Sequence, residues 1–253
     1  MELMVYNEYM KLKNELINLI KSSFKLVSKS PFLWFFFYVF VLLGILIENF
    51  LEPAVRGKAS LILMVLTVSL PALKVEFLDS VDKDKSPQYI KTPNLLFYYF
   101  KKFLFVTVFL FVLGIVFSLI SNLLVYVLVN ILGLISEPSS IELIRMLVFL
   151  PLAVVYFSLF HLFVVILVKA KKGILETFKL SILFIKKNYK IVSLIIILSL
   201  LIHYPISELM IVIVNKLFSQ ANEAVVQSTL AFVNILIELF FFAVWMVLYK
   251  KKR

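Results

Sequence analysis

Three ionisable side chains interrupt the most apolar parts of this sequence, and they are of the types that move protons or hold cations. Glu238, His203 and His161 each lie inside a long, otherwise almost uncharged run. Counted from the flanking lysine of each run at ~1.5 Å per residue, His161 is about 12 Å deep, Glu238 about 18 Å and His203 about 20 Å. Both histidines and the central carboxylate therefore fall within roughly two helical turns of depth. Gln227, Asn234 and Glu238 recur at i, i+7 and i+11, a polar stripe expected to face protein rather than lipid. Burial and a partner can tune a carboxylate and an imidazole into a working pKa range. Glu238 and His203, with Asn234 nearby, thus make a candidate proton or cation site. Pro205 has no N–H for the carbonyl of Leu201 and its ring clashes there, which predicts a kinked or broken helix, the setting in which transporters place sites.

The same residues have a plainer reading. A lone membrane glutamate can stay protonated and donate one hydrogen bond to a neighbouring helix, and a neutral histidine can do likewise. Packing, an ion or solute pathway and catalysis are the three readings weighed. A metal site from His161, His203 and Glu238 lacks the local spacing of a His-Glu-x-x-His helix, so no metal or other cofactor is expected. Five glycines supply no phosphate loop or nucleotide fingerprint. There is no nucleophile elbow, and the absence of cysteine removes thiol chemistry and disulfides. Asp79, Asp82 and Asp84 lack the spacing of a calcium loop and read as a solvated turn. With no catalytic constellation, the expectation is a protein that is not an enzyme.

The elements that would position these residues are membrane spans. The chain is 62% hydrophobic, against about 45–50% for soluble domains, and its mean hydropathy is +1.04. Six apolar runs read as transmembrane helices. They are Phe32 to Phe50, Ala59 to Leu73, a span opening the uncharged stretch Phe103 to Ser136, a fourth from a Ser139-Ser140-Ile141-Glu142 capping box to Val168, Ile191 to Asn215, and Ala224 to Tyr249. The second is short, so Lys74 is expected to snorkel to the headgroups. The third is too long for one crossing and is expected to span to about Ser121-Asn122 and then continue along or into the outer surface. No cleavable leader is expected, the chain inserting through its own first span.

Of 26 basic residues, 22 fall in alternate gaps between these runs. Five precede Pro31, six lie between Lys74 and Lys102, seven between Lys169 and Lys190, and four form the tail Lys250-Lys251-Lys252-Arg253. Basic residues collect on the cytoplasmic side by local count. The expected topology is therefore an all-α, multi-pass cell-membrane protein with both termini cytoplasmic. Trp34 and Trp245 fall near the inner ends of their runs, as interfacial indoles do. The net charge of +11 belongs to a membrane surface, and nucleic acid is not an expected partner.

Two basic segments have helical apolar periodicity and read as interfacial amphipathic helices. The stripe is Tyr9, Leu12, Leu16, Ile20, Ser23 and Val27 in one, and Ile174, Phe178, Ile182, Ile185 and Tyr189 in the other. Thr92-Pro93 reads as a cap and first residue of a helix in the middle segment. Lys171, Lys172, Lys179, Lys186, Lys187 and Lys190 are the candidate contacts to anionic headgroups. Cutting at Lys85 and Ala170 gives units 1–85, 86–170 and 171–253, each a juxtamembrane segment plus a hairpin, a candidate three-fold repeat within one integral membrane domain. The pattern Ser23-Phe24-Lys25-Leu26…Lys29-Ser30-Pro31, echoed at Thr177-Phe178…Lys187-Asn188-Tyr189, resembles uncharacterised six-span prokaryotic families related to the membrane domain of glycerophosphodiester phosphodiesterases. The resemblance implies the six-span layout but supplies no catalytic residues. These residues include no phosphodiesterase barrel, so the hydrolase activity is not expected. The function expected is a non-catalytic module that binds anionic lipid and associates with other membrane proteins. The alternative is a small solute or ion-coupled permease working through Glu238 and His203.

Overall fold

Prolines and small polar side chains set where the helices start and stop. The computed structural model describes residues 2–29, 31–50, 53–85, 92–127, 156, 158–217 and 223–253. Helix α1 (Glu2–Ser28) gives way to α2 (Pro31–Phe50), which opens on a proline, a residue suited to the first helical position because its missing N–H is not needed there. The Trp34 indole N–H donates to the carbonyl of Val27 at 3.2 Å, tying the two helices across a bend of 74°. Helix α3 (Pro53–Asp82) also opens on proline and runs through Pro71. Helices α4 (Thr92–Tyr126) and α5 (Ser158–Ala170) follow. Lys171 then adopts a left-handed φ of 54°, and its N–H reaches the Leu167 carbonyl. Gly173 precedes α6 (Ile174–Lys187), and Asn188 ends it, its side-chain amide donating to the Phe184 carbonyl at 3.0 Å. Helices α7 (Tyr189–Leu217) and α8 (Glu223–Lys252) complete the chain.

The C-terminal half of α8 is the centre of the packing. Phe241, Phe242, Ala243, Val244 and Trp245 are all fully buried, so this stretch is enclosed all round rather than along one stripe. Helices α1, α2, α3 and α7 pack on α8, and α3 packs in turn on α4. Phe36 and Phe37 of α2 meet Phe77 of α3 at centroid distances of 5.6 and 6.0 Å, in the range of favourable ring pairs.

The all-helical expectation holds across the described residues, which contain no strand. Among them one helix, Val226–Lys252, is long and apolar enough to cross a membrane alone. The bent pair Tyr6–Ser28 and Pro31–Ile47 reaches that standard only when taken together. Several expectations change. The second run is the middle of a 30-residue helix, not a short span. The third is a 35-residue helix that passes Ser121-Asn122 and reaches Tyr126, while the rest of that run and the Ser139–Glu142 capping box lie outside the described residues. Thr92 falls within α4 and its buried hydroxyl has no hydrogen-bond partner, so it does not cap the helix. Helix α7 continues through Pro205 without the expected break, since one missing donor leaves the neighbouring ladder bonds intact. Trp245 is buried in the core rather than interfacial.

The apolar stripe of α1 is also reassigned. Leu19, Ser23, Leu26 and Val27 are buried, with Leu12 and Leu16 packed against the same core. Most of that stripe therefore packs against the body of the protein. Tyr9 of the stripe is exposed, as are Tyr6, Ile17 and Phe24.

Replacing the enclosed Trp245 by alanine should cost about 3–5 kcal/mol, the usual range for emptying such a site. Trp34→Phe, which removes one hydrogen bond, should cost about 1 kcal/mol. Thermal midpoints of the two purified variants in one detergent check the ranking, and equal losses would mean that α8 is not the packing centre.

Candidate functional site

The charged residues of α3 organise the lysine-rich end of the molecule. Lys74, Glu76, Asp79 and Asp82 lie along its last two to three turns, and between them they reach α4, α5 and α8. Lys74 donates to Glu238 of α8. Its side chain is only 6% exposed and Glu238 is 31% exposed. The ammonium also lies 5.7 Å from the Phe37 ring centroid, within the range of a cation–π contact. Lys74 therefore does not snorkel to the headgroups. The carboxylate on the adjacent helix is its partner instead.

Asp79 accepts from Lys169 at the end of α5 and from Lys83 at 2.6 Å. Asp82 accepts from Lys250 of α8 at 2.8 Å, and Asp84 from Lys29, at the junction of α1 and α2, at 2.7 Å. The expected solvated turn is thus two helical carboxylates and one turn residue, each in an ion pair. Burial pushes the Asp79 carboxyl up, but the ammonium groups of Lys169 and Lys83 outweigh it and hold the group below its ordinary value. Glu76 accepts from the Tyr99 hydroxyl at 3.0 Å. Burial first, and then the Glu76 charge, push that phenol well above its usual range, so Tyr99 remains a neutral donor. At the far side of the same end, Glu15 of α1 pairs with Lys252 at 2.6 Å, and Glu8 pairs with Lys190.

The expected intramembrane centre is assembled only in part. His161 is buried and stands edge-on to Phe242 at 4.4 Å. Phe242 is one turn from Glu238 on α8, so His161 and the Lys74–Glu238 pair are near neighbours in height. Asn234 is exposed and does not join them, whereas Gln227 and Glu238, the other two members of the stripe, are partly buried. His203 lies on α7, and its side chain is outside the described residues. No group of three or more metal-ligating side chains is present among the described residues.

The six lysines singled out between Lys171 and Lys190 divide into two sets. Lys172 pairs with Glu176 at 3.1 Å, and Lys190 with Glu8. Lys179, Lys186 and Lys187 are exposed on α6, and Lys171 lines a cavity against α3 and α4. Helix α6 buries Thr177, Ser181 and Phe184 and turns Leu175, Phe178, Ile182 and Leu183 outward. Sequence reasoning missed the Lys74–Glu238 pair. The signal was half present: Glu238 is a lone charge deep in an apolar run, and such a charge seeks an opposite partner, whereas Lys74 stands at the edge of its run beside Glu76.

Comparison with protein-family models, with curated proteins and with solved structures finds no match for this chain.

Glu238→Leu leaves the Lys74 ammonium buried without its carboxylate. It should cost about 3 kcal/mol, the lower end of the range for a broken buried pair because Glu238 is partly exposed. Lys74→Met with Glu238→Leu should recover most of that loss in a thermal melt, and additive losses would rule out the pair. Asp79 makes a separate prediction. A depressed folded pKa contributes stability that is present above the unfolded value, 3.8, and disappears as pH falls through the folded value. The stability difference between wild type and Asp79→Asn should therefore be full above about pH 5 and shrink in acid. A difference constant down to pH 2 would contradict the pairing.

Proposed function

We propose that this chain is a non-catalytic, six-span membrane protein whose cytoplasmic face associates with anionic lipid and with other membrane proteins. The observation that carries the reading is the outward face of α6. Leu175 is 80% and Leu183 61% exposed, with Phe178 and Ile182 beside them, and the exposed ammonium groups of Lys179, Lys186 and Lys187 flank them. A 14-residue helix with one face packed on protein and the other apolar and basic suits the headgroup boundary of a bilayer. Each basic residue near an anionic surface adds roughly 1 kcal/mol, so three of them give useful selectivity for anionic lipid. The six-span topology, with four basic segments on the cytoplasmic side, rests on the alternation of lysine counts along the sequence. The permease reading is weaker than packing because Lys74 already neutralises Glu238, leaving that carboxylate little net charge for a transported cation.

The absence of cysteine makes single-cysteine variants clean probes. In sealed cells, cysteines at Lys13, Lys172 and Lys251 should be shielded from an impermeant maleimide, and cysteines at Arg56 and Lys216 should be labelled. Leu183→Cys carrying an environment-sensitive fluorophore should shift to the blue in vesicles containing phosphatidylglycerol. Lys186→Gln with Lys187→Gln should reduce that shift. Equal emission in neutral and anionic vesicles would defeat the lipid reading, and labelling from outside at Lys172 would defeat the topology.

A further inference from the structure

A groove between α3, α4 and α5 holds two lysines that are in no ion pair among the described residues. It contains a cavity of about 280 Å³ lined by Lys102 and Lys171, by Glu76 with Tyr99, and by the apolar Leu95 and Leu167. That volume is at the lower edge of the ~300–1,000 Å³ typical of ligand pockets, so it suits the head of an amphiphile and not the whole molecule. A second, open hollow of about 500 Å³ adjoins it and shares Tyr98 and Lys102, with Phe97 on its wall. Phe97 is exposed. A charged pocket thus leads into an aromatic-walled surface groove.

The charges of the pocket do not cancel. Lys102 and Lys171 stand against the single carboxylate of Glu76, leaving one net positive charge. Lys102 is held in place, lying 4.5 Å from the Tyr98 ring centroid and donating to the Tyr98 hydroxyl at 2.7 Å. An ammonium has three donors, so two remain. Glu76 uses one oxygen to accept from Tyr99, and its other oxygen can accept from a ligand hydroxyl. Lys171 occupies a left-handed position, φ 54°, just after a helix, where glycine is the ordinary residue because any Cβ is strained there. The backbone therefore does not call for lysine at that position. The side chain, which lines the cavity, is the part that a ligand would use.

We propose that this pocket binds the phosphodiester headgroup of an anionic phospholipid. Lys102 and Lys171 take the phosphate oxygens, Glu76 takes a headgroup hydroxyl, and the acyl chains leave past Phe97. One negative charge on the phosphodiester matches the one net positive charge of the pocket. The assignment rests on the membrane reading above and adds a defined site to it, separate from the outward face of α6.

The test uses the full-length protein in a neutral detergent, with native mass spectrometry counting retained phosphatidylglycerol and phosphatidylcholine, and with inorganic phosphate as competitor. Wild type should keep phosphatidylglycerol in preference to phosphatidylcholine and in the presence of millimolar phosphate. Lys102→Met and Lys171→Gly should each weaken retention about fivefold. Lys171→Gly suits its backbone, so its thermal midpoint should match or exceed that of wild type, which separates lost binding from lost folding. The control Lys251→Met, exposed at the end of α8 and away from the pocket, should retain the lipid as wild type does. Equal retention by Lys171→Gly and wild type, equal retention of phosphatidylcholine, or displacement by inorganic phosphate would each overturn the proposal. Failure of the membrane reading shows differently, as a protein that does not float with vesicles of any composition.

Discussion

Many like charges meet at one end of this molecule, and the carboxylates of α3 make that arrangement tolerable. Lysines from the α1–α2 junction, from the end of α5 and from the end of α8 all find their partners on or just after α3, at Asp84, Asp79 and Asp82. Exposed pairs of this kind contribute little singly, about 0–1 kcal/mol. Their joint effect is on register: each fixes the height of one helix end against α3. Asp79 is the exception in strength, because it is mostly buried and holds two ammonium groups. Lys74 and Glu238 repeat the logic at greater depth, where an unpaired charge is far more costly. Together with the aromatic core around Trp245, these contacts make α3 and α8 the frame to which the other described helices attach.

The pattern of lysines made it legible that basic segments would gather and that the fold would be helical. The partners were not legible. Asp79, Asp82 and Asp84, standing among lysines, looked like a solvated turn because local sequence cannot show that Lys169 and Lys250 arrive from other helices. At Pro205, where a kink or a break was expected, the break is absent for a related reason. A missing N–H removes one bond, and the helix tolerates that loss when its neighbours are intact. The periodicity of α1 was read correctly as amphipathic, but periodicity states only that a face is apolar and not what covers it. The pocket at Lys102 and Lys171 was invisible, because its two lysines are 69 positions apart and meet only through the packing of α4 and α5 on α3.

Small polar residues explain how two basic helices can approach the core so closely. Ser23 of α1 donates to the Leu19 carbonyl at 2.7 Å, and Thr177 of α6 donates to the Gly173 carbonyl at 2.8 Å. Both side chains are fully buried. Each bonds its own helix one turn back and so needs no partner across the interface, which leaves a short, satisfied surface for a neighbouring helix. The next residues, Phe24 and Phe178, are exposed in both helices, and each is followed by an exposed lysine.

That shared local geometry bears on what the outward faces are for. A helix needs one apolar stripe to pack on protein, and α1 already has it in Leu19, Leu26 and Val27. A second apolar set on its other side, Tyr6, Tyr9, Ile17 and Phe24, adds nothing to that packing and would be unfavourable in water. The same excess is present on α6 in Leu175, Phe178, Ile182 and Leu183. On the proposed topology both helices lie at the cytoplasmic boundary, where a lysine can keep its ammonium in the headgroups while its stem covers apolar surface. The inner stripe then fixes each helix to the bundle, and the outer one is left for lipid or for a partner membrane protein. The two faces thus serve different neighbours, which is why the sequence of each helix is apolar on more of its surface than packing on the bundle requires.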